Sequence, residues 1–106
     1  MIYKLKILPK AKLDLIEISS WYEDIQSGLG KHFLKNVSLE MKIVKNNPIS
    51  FQIRYDKTRV VLINKFPYLI HYEIIDNEIL IKAVIHTSRD NKNWKNKSSN
   101  GMYSFL

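Results

Sequence analysis

Cysteine is absent from the 106 residues, and glycine and proline occur three times each. Without thiols the fold has neither a disulfide staple nor a thiolate metal site. So little glycine and proline excludes collagen-like and linker-like chains. Arginine is scarce too: only Arg54, Arg59 and Arg89 stand among the 17 basic residues. No stretch approaches the roughly 18 apolar residues that a membrane-spanning helix requires. The opening "MIYKLKILPK" alternates Lys with apolar residues and lacks the apolar core of a secretory signal. The expectation is a soluble protein of the cytoplasm that does not engage membranes.

The chain is 45% hydrophobic and 25% charged, which suits one modest core. A single domain over residues 1–97 with a C-terminal tail over 98–106 is expected, because "KNKSSNG" is polar and low in complexity. The apolar "MYSFL" that ends the chain is suited to docking on the domain. The formal net charge is +7. A surplus of this size favours polyanions or an acidic protein as partner.

Hydrophobic periodicity divides the chain. In "IYKLKIL" Tyr3, Leu5 and Ile7 alternate with Lys4 and Lys6, the pattern of a half-buried strand. From Lys10 the period becomes helical: Ala11, Leu15, Ile18, Tyr22 and Ile25 share a face, with Trp21 beside them and Lys10–Asp14 paired on the helix surface. "SGLG" at residues 27–30 interrupts the helix. A second helix carries Phe33, Leu34, Val37, Met41 and Val44, and "NNP" at residues 46–48 stops it, since the residue before proline avoids the helical region. The short link predicts an antiparallel helical hairpin. Strands follow at residues 51–55, 58–66, 68–75 and 78–86, with Asp76-Asn77 as a tight hairpin turn. The order β-αα-β-β-β-β predicts an α+β fold, with a helical hairpin on one face of a largely antiparallel sheet.

The common catalytic signatures are missing. His32, His71 and His86 show no metal-ligand spacing, so no metal and no cofactor are expected. "GLG" at residues 28–30 lies between helices with no Gly-Lys-Ser/Thr after it, unlike a phosphate loop. Glu23-Asp24 and Asp76/Glu78 fall at helix ends or turns rather than as a catalytic pair. There is no serine nucleophile elbow. What remains is a basic strand half containing Arg54, Lys57, Arg59, Lys65, His71, Lys82, His86 and Arg89. RNA cleavage can be assembled from such residues: a base for the 2′-hydroxyl, a cation for the charged phosphorane and an acid for the 5′-oxygen.

Five phrases in order, "AKLDLIEISSWYED", "GLGKHFLKNV", "NNPISF", "TRVVLINKFPYLIHYEI" and "AVIHTSRDNKNW", resemble the RelE/ParE superfamily of type II toxins, most closely the branch labelled plasmid-stabilisation proteins. The resemblance covers the chain to about Lys97. It implies a small cytosolic toxin neutralised by a cognate antitoxin whose toxin-binding segment is acidic. One branch of the superfamily is an mRNA interferase that cleaves message on the ribosome; another is not a nuclease and inhibits DNA gyrase by protein contact. The cleavage reading makes Arg59, His86 and Arg89 the catalytic candidates, with Arg54, Lys57, Lys65 and Tyr68 holding phosphate. Arg89 falls where the cleaving branch has its late Arg, and Trp94 falls near its late aromatic. The Arg that opens the next-to-last strand in that branch is replaced here by Tyr68 or Leu69. His86 is placed to serve as acid or base in compensation. Endoribonuclease activity against ribosome-bound mRNA is the first expectation. A gyrase-binding toxin, or a member that binds antitoxin without toxicity, is the alternative.

Overall fold

The computed structural model describes residues 2–89. Trp94, Asp90 and the 98–106 tail lie outside the described residues. The elements are β1 (Lys4–Ile7), α1 (Pro9–Ile25), α2 (Leu29–Asn46), a 3₁₀ turn (Pro48–Ser50), β2 (Ile53–Tyr55), β3 (Thr58–Leu62), β4 (Tyr68–Ile75) and β5 (Glu78–His86). The sheet runs β1-β5-β4-β3-β2. β1 lies parallel to β5 and the other pairs are antiparallel. A parallel pair needs a crossover. The helical hairpin begins that crossover, and β2, β3 and β4 complete it before the chain returns beside β1.

Local chemistry sets the boundaries. Pro9 occupies the first turn of α1, where its fixed φ suits a helix and its missing N–H costs nothing. Gly28 has φ +89°, and a Cβ there would meet nothing within 4 Å. Glycine is therefore needed for backbone conformation rather than for space. The Glu23 carboxylate accepts the Gly28 N–H at 2.8 Å and the Gly30 N–H at 3.0 Å. Those two bonds, helped by nearby Lys31, hold the Glu23 carboxyl below its ordinary range. They also occupy donors that the start of α2 leaves free. Asn47 and Pro48 end α2, and the 3₁₀ turn follows directly.

The core lies between the hairpin and one face of the sheet. Phe33, Val37, Met41 and Val44 of α2 are buried with Ala11 of α1, Ile70 and Tyr72 of β4, and Ile79, Ile81 and Val84 of β5. Phe33 sits among rings, with centroids 5.2 Å from Phe66, 5.6 Å from Tyr22 and 5.8 Å from Tyr68. On the other face, Val60 and Leu69 pack with Tyr55. Lys82 donates to Thr58 Oγ1 there and lies 3.5 Å from Glu73.

Two expectations from periodicity change. The run at residues 58–66 is not one strand: β3 ends at Leu62, and residues 63–67 turn, with Lys65 at φ +71°. Ile63 N–H still bonds the Tyr68 carbonyl, and Phe66 N–H folds back to Ile63 O at 3.2 Å. The apolar run continues through the turn because Ile63 and Phe66 enter the core from it. Ile25, in phase with the core stripe, is 58% exposed, and Trp21 is 57% exposed while Tyr22 packs inward.

Tyr72 is fully buried and its hydroxyl donates to Pro48 O at 2.7 Å. This bond ties β4 to the 3₁₀ turn. Burial pushes the Tyr72 hydroxyl up to about 12, against the opposing pull of Arg59. An unfolded tyrosine ionises near pH 10. The unfolded chain therefore loses this proton first, and stability is full below about pH 10 and falls between about 10 and 12. Alkaline melts of the wild type should show an added loss of about 2–3 kcal/mol across that window. Tyr72→Phe should remove that loss, and at neutral pH it should cost about 1–3 kcal/mol because Pro48 O keeps no partner.

Candidate functional site

Pro9 turns the chain away from the sheet, so β1 stops pairing with β5 after Leu8 N–H bonds Ile81 O at 2.9 Å. Among the described residues, β5 beyond Ile81 has no strand beside it on that side. Asp14 of α1 fills part of the vacancy: its carboxylate accepts the Val84 N–H at 2.9 Å and an ion pair from Lys10 at 2.7 Å. A cavity of about 120 Å³ opens beside this contact, lined by Lys10, Asp14, Glu17 and Ile18 of α1, Tyr68 of β4, Val84, Ile85 and His86 of β5, and Arg89.

Tyr68 and His86 are directly opposite across the β4–β5 ladder. Their rings meet edge-on with centroids 5.1 Å apart. Burial raises the Tyr68 hydroxyl above its ordinary value and the Arg89 guanidinium opposes the rise. The hydroxyl is thus a proton donor near neutral pH. After His86 the chain turns helical, beginning at Thr87, whose N–H bonds Pro67 O at 2.9 Å. That turn brings Ser88 back onto the imidazole: Ser88 N–H donates to His86 Nδ1 at 3.1 Å, and Ser88 Oγ is 3.0 Å from the same nitrogen. An imidazole nitrogen that accepts an N–H carries no proton, so in the neutral ring the proton sits on Nε2. In this arrangement His86 presents a donor.

The expected residues therefore separate. His86, Arg89 and Tyr68 line one cavity. Arg59 lies on β3 opposite Tyr72, and its guanidinium donates to Ile49 O at 3.1 Å and to Phe51 O. Four residues along β4 separate Tyr72 from Tyr68, about 13 Å, with two strand spacings, roughly 10 Å, lying between β3 and β5. Arg54 stands on β2 at the far edge of the sheet. Lys57 is exposed in the turn between β2 and β3, and Lys65 is exposed in the turn before β4. None of these four lines the cavity of His86.

Sequence reasoning did not find the contribution of α1. Lys10 and Asp14 read as a surface pair at i,i+4 spacing. Their other role depends on β1 ending at Ile7, and the Pro9 that ends it was the available signal. Among the described residues no group of three or more His, Cys, Asp or Glu is placed to hold a metal ion. No helix among them is long and apolar enough to cross a membrane.

Comparison with known proteins agrees with this architecture. A chain of the chromosomal ParDE TA system from P. aeruginosa superposes with a TM-score of 0.73 at 17% identity, covering 80% of this chain and 96% of that one. At that identity the likeness speaks for the fold. No curated protein sequence matches. The sequence profile described as "ParE toxin of type II toxin-antitoxin system, parDE" matches residues 5–91. With most of its length matched, the chain belongs to the ParE toxin family of type II toxin–antitoxin systems.

Proposed function

We propose that this toxin acts in the cytoplasm by protein contact, with DNA gyrase as its target, and that a cognate acidic antitoxin holds it inactive. The position of Arg59 carries the reading. Cleavage of RNA needs a base, an acid and a cation within hydrogen-bond reach of one phosphate. Arg59 is instead bonded to the carbonyls of Ile49 and Phe51, away from His86 and Arg89. The Nδ1 of His86 is occupied by Ser88 N–H. What the cavity offers beside the Lys10–Asp14 pair and the Glu17 carboxylate is three donors: the Tyr68 hydroxyl, His86 Nε2–H and Arg89. Such a cluster suits carbonyl and carboxylate groups on a protein surface, and the chain's charge of +7 steers it toward acidic partners.

One observation favours the nuclease alternative. Glu17 and His86 line the same cavity, and a carboxylate with an imidazole can act as base and acid. Timing after induction separates the two. Under the protein-contact reading, thymidine incorporation in growing cells falls before methionine incorporation. Arg89→Ala relieves the arrest at equal protein level. An early collapse of methionine incorporation would transfer the proposal to ribosome-dependent mRNA cleavage, with Arg89 and His86 contacting phosphate. No arrest at all would leave a member that binds antitoxin only.

A further inference from the structure

The face of the sheet turned away from the helices carries an apolar strip. In β4, Leu69, Ile70, His71 and Tyr72 are buried in succession. Ile70 and Tyr72 enter the core under the helical hairpin, so alternation sends Leu69 and His71 to the other face. Unbroken burial of this kind belongs to strands covered on both sides, whereas a sheet that meets water on one face alternates apolar with polar. The ladders carry the strip across the strands. Leu69 stands opposite Ile85, and on the same face the next rung is Val60, His71 and Ala83. Leu69 is 5% exposed and Val60 is 7% exposed, with Tyr55 of β2 packed on them. One end of the strip is closed by polar groups. The Tyr55 hydroxyl lies 3.2 Å from His71 Nδ1, and Lys82 Nζ stands 5.5 Å from the centre of the Tyr55 ring. The other end, at Leu69 and Ile85, is where the chain leaves the sheet, with Arg89 four residues beyond Ile85.

We propose that residues 102–106 of this same chain, Met-Tyr-Ser-Phe-Leu, dock on the strip as an intramolecular cover. The segment has the right chemistry. It holds four apolar residues and no charged side chain, so apolar burial on Leu69, Ile85 and Val60 drives the contact. It also has the reach. Residues 90–101, polar apart from Trp94, can span up to about 40 Å when extended. The strip itself is about 7 Å long between its two rungs and about 10 Å wide across three strands. Tethering selects this occupant over a free one. A flexible linker of such length holds the segment at an effective concentration on the order of millimolar. A second copy of the chain would instead bring another +7 to the contact, and like charge opposes that pairing. The docked segment gives the domain a second, smaller core on the side of the sheet opposite the helices.

The test uses the full chain and nuclear magnetic resonance. Because the chain holds no cysteine, Ser104→Cys takes a single spin label. The label should erase the methyl signals of Val60, Leu69 and Ile85 and spare those of Leu13 and Ile16 on the exposed surface of α1. Reducing the label should restore every lost signal. Adding Tyr103→Ser and Phe105→Ser, which removes both rings of the segment, should restore the Leu69 and Ile85 signals while the label is still active. Intact Leu69 and Ile85 signals beside the active label in the Ser104→Cys chain would overturn the proposal. So would signals lost evenly over both faces of the molecule. Loss of the Leu69 signal in an unlabelled chain mixed with spin-labelled copies would give the strip to a second copy and overturn it as well.

Discussion

Phe33→Ala lowers the stability of this domain by about 3–5 kcal/mol, read as the midpoint of urea unfolding. Phe33 is wholly buried in α2 and touches rings from α1, from the turn before β4 and from β4 itself. Tyr22 of α1 meets the same partners from the other helix, so these four rings together join the hairpin to the start of β4. Its removal takes away the apolar transfer energy and leaves a void bounded by Tyr22, Phe66 and Tyr68. Those side chains belong to one packed core with Val37, Ile63 and Ile70, so the void closes only in part. A domain of this size has about 5–15 kcal/mol in total. The variant should therefore melt about 10–25 °C lower. Because Tyr68 forms one wall of the His86 cavity, loss of toxicity in this variant would report on folding rather than on the site.

Gly30→Ala is expected to destabilise by about 1–3 kcal/mol, in spite of alanine's better helix propensity. On propensity alone the change would gain about 1 kcal/mol, since glycine in a helix pays more backbone entropy. The helical hairpin reverses the sign. A Cβ at Gly30 would stand 2.4 Å from the Ser19 carbonyl oxygen and 3.0 Å from Glu23 Oε1. The first is backbone of α1 and has little freedom to yield. The second belongs to the carboxylate that caps α2 through Gly28 and Gly30. To admit the methyl group the hairpin must open or the cap must break. Thermal unfolding of Gly30→Ala beside Gly28→Ala separates the causes. Gly28 has open space but a left-handed backbone, so its cost is conformational, whereas that at Gly30 is steric.

Most of the fold was legible because its periodicities are clean. The Tyr3, Leu5, Ile7 alternation, the α2 stripe and the Asp76-Asn77 turn each carry one dominant signal, and β1, α2 and the β4–β5 hairpin appear where those signals place them. Residues 63–67 were misleading because Ile63 and Phe66 are core residues held by a turn. Hydropathy reports burial and cannot distinguish the two backbones there. The parallel pairing of β1 with β5 was not readable either, since pairing partners depend on which edge is open after the hairpin closes. The site divides along the same line. Tyr68, His86 and Arg89 come together because β4 and β5 are consecutive and the register puts Tyr68 opposite His86. Arg59 looked equivalent to them in sequence. Its bonds to Ile49 O and Phe51 O arise from the loop after α2, whose path no local pattern encodes. Lys10, Asp14 and Glu17 joined the cavity only through the docking of α1 on β5.

The protein-contact mechanism proposed for this ParE-family chain and RNA cleavage differ in what purified toxin does to two targets. The most direct measurement adds purified toxin in parallel to DNA gyrase with relaxed plasmid and ATP, and to ribosomes translating a defined message. Under the protein-contact proposal supercoiling is lost in proportion to toxin, Arg89→Ala restores it, and primer extension finds the message intact. Breaks within codons of the ribosome-bound message, with gyrase supercoiling at full rate, would contradict it.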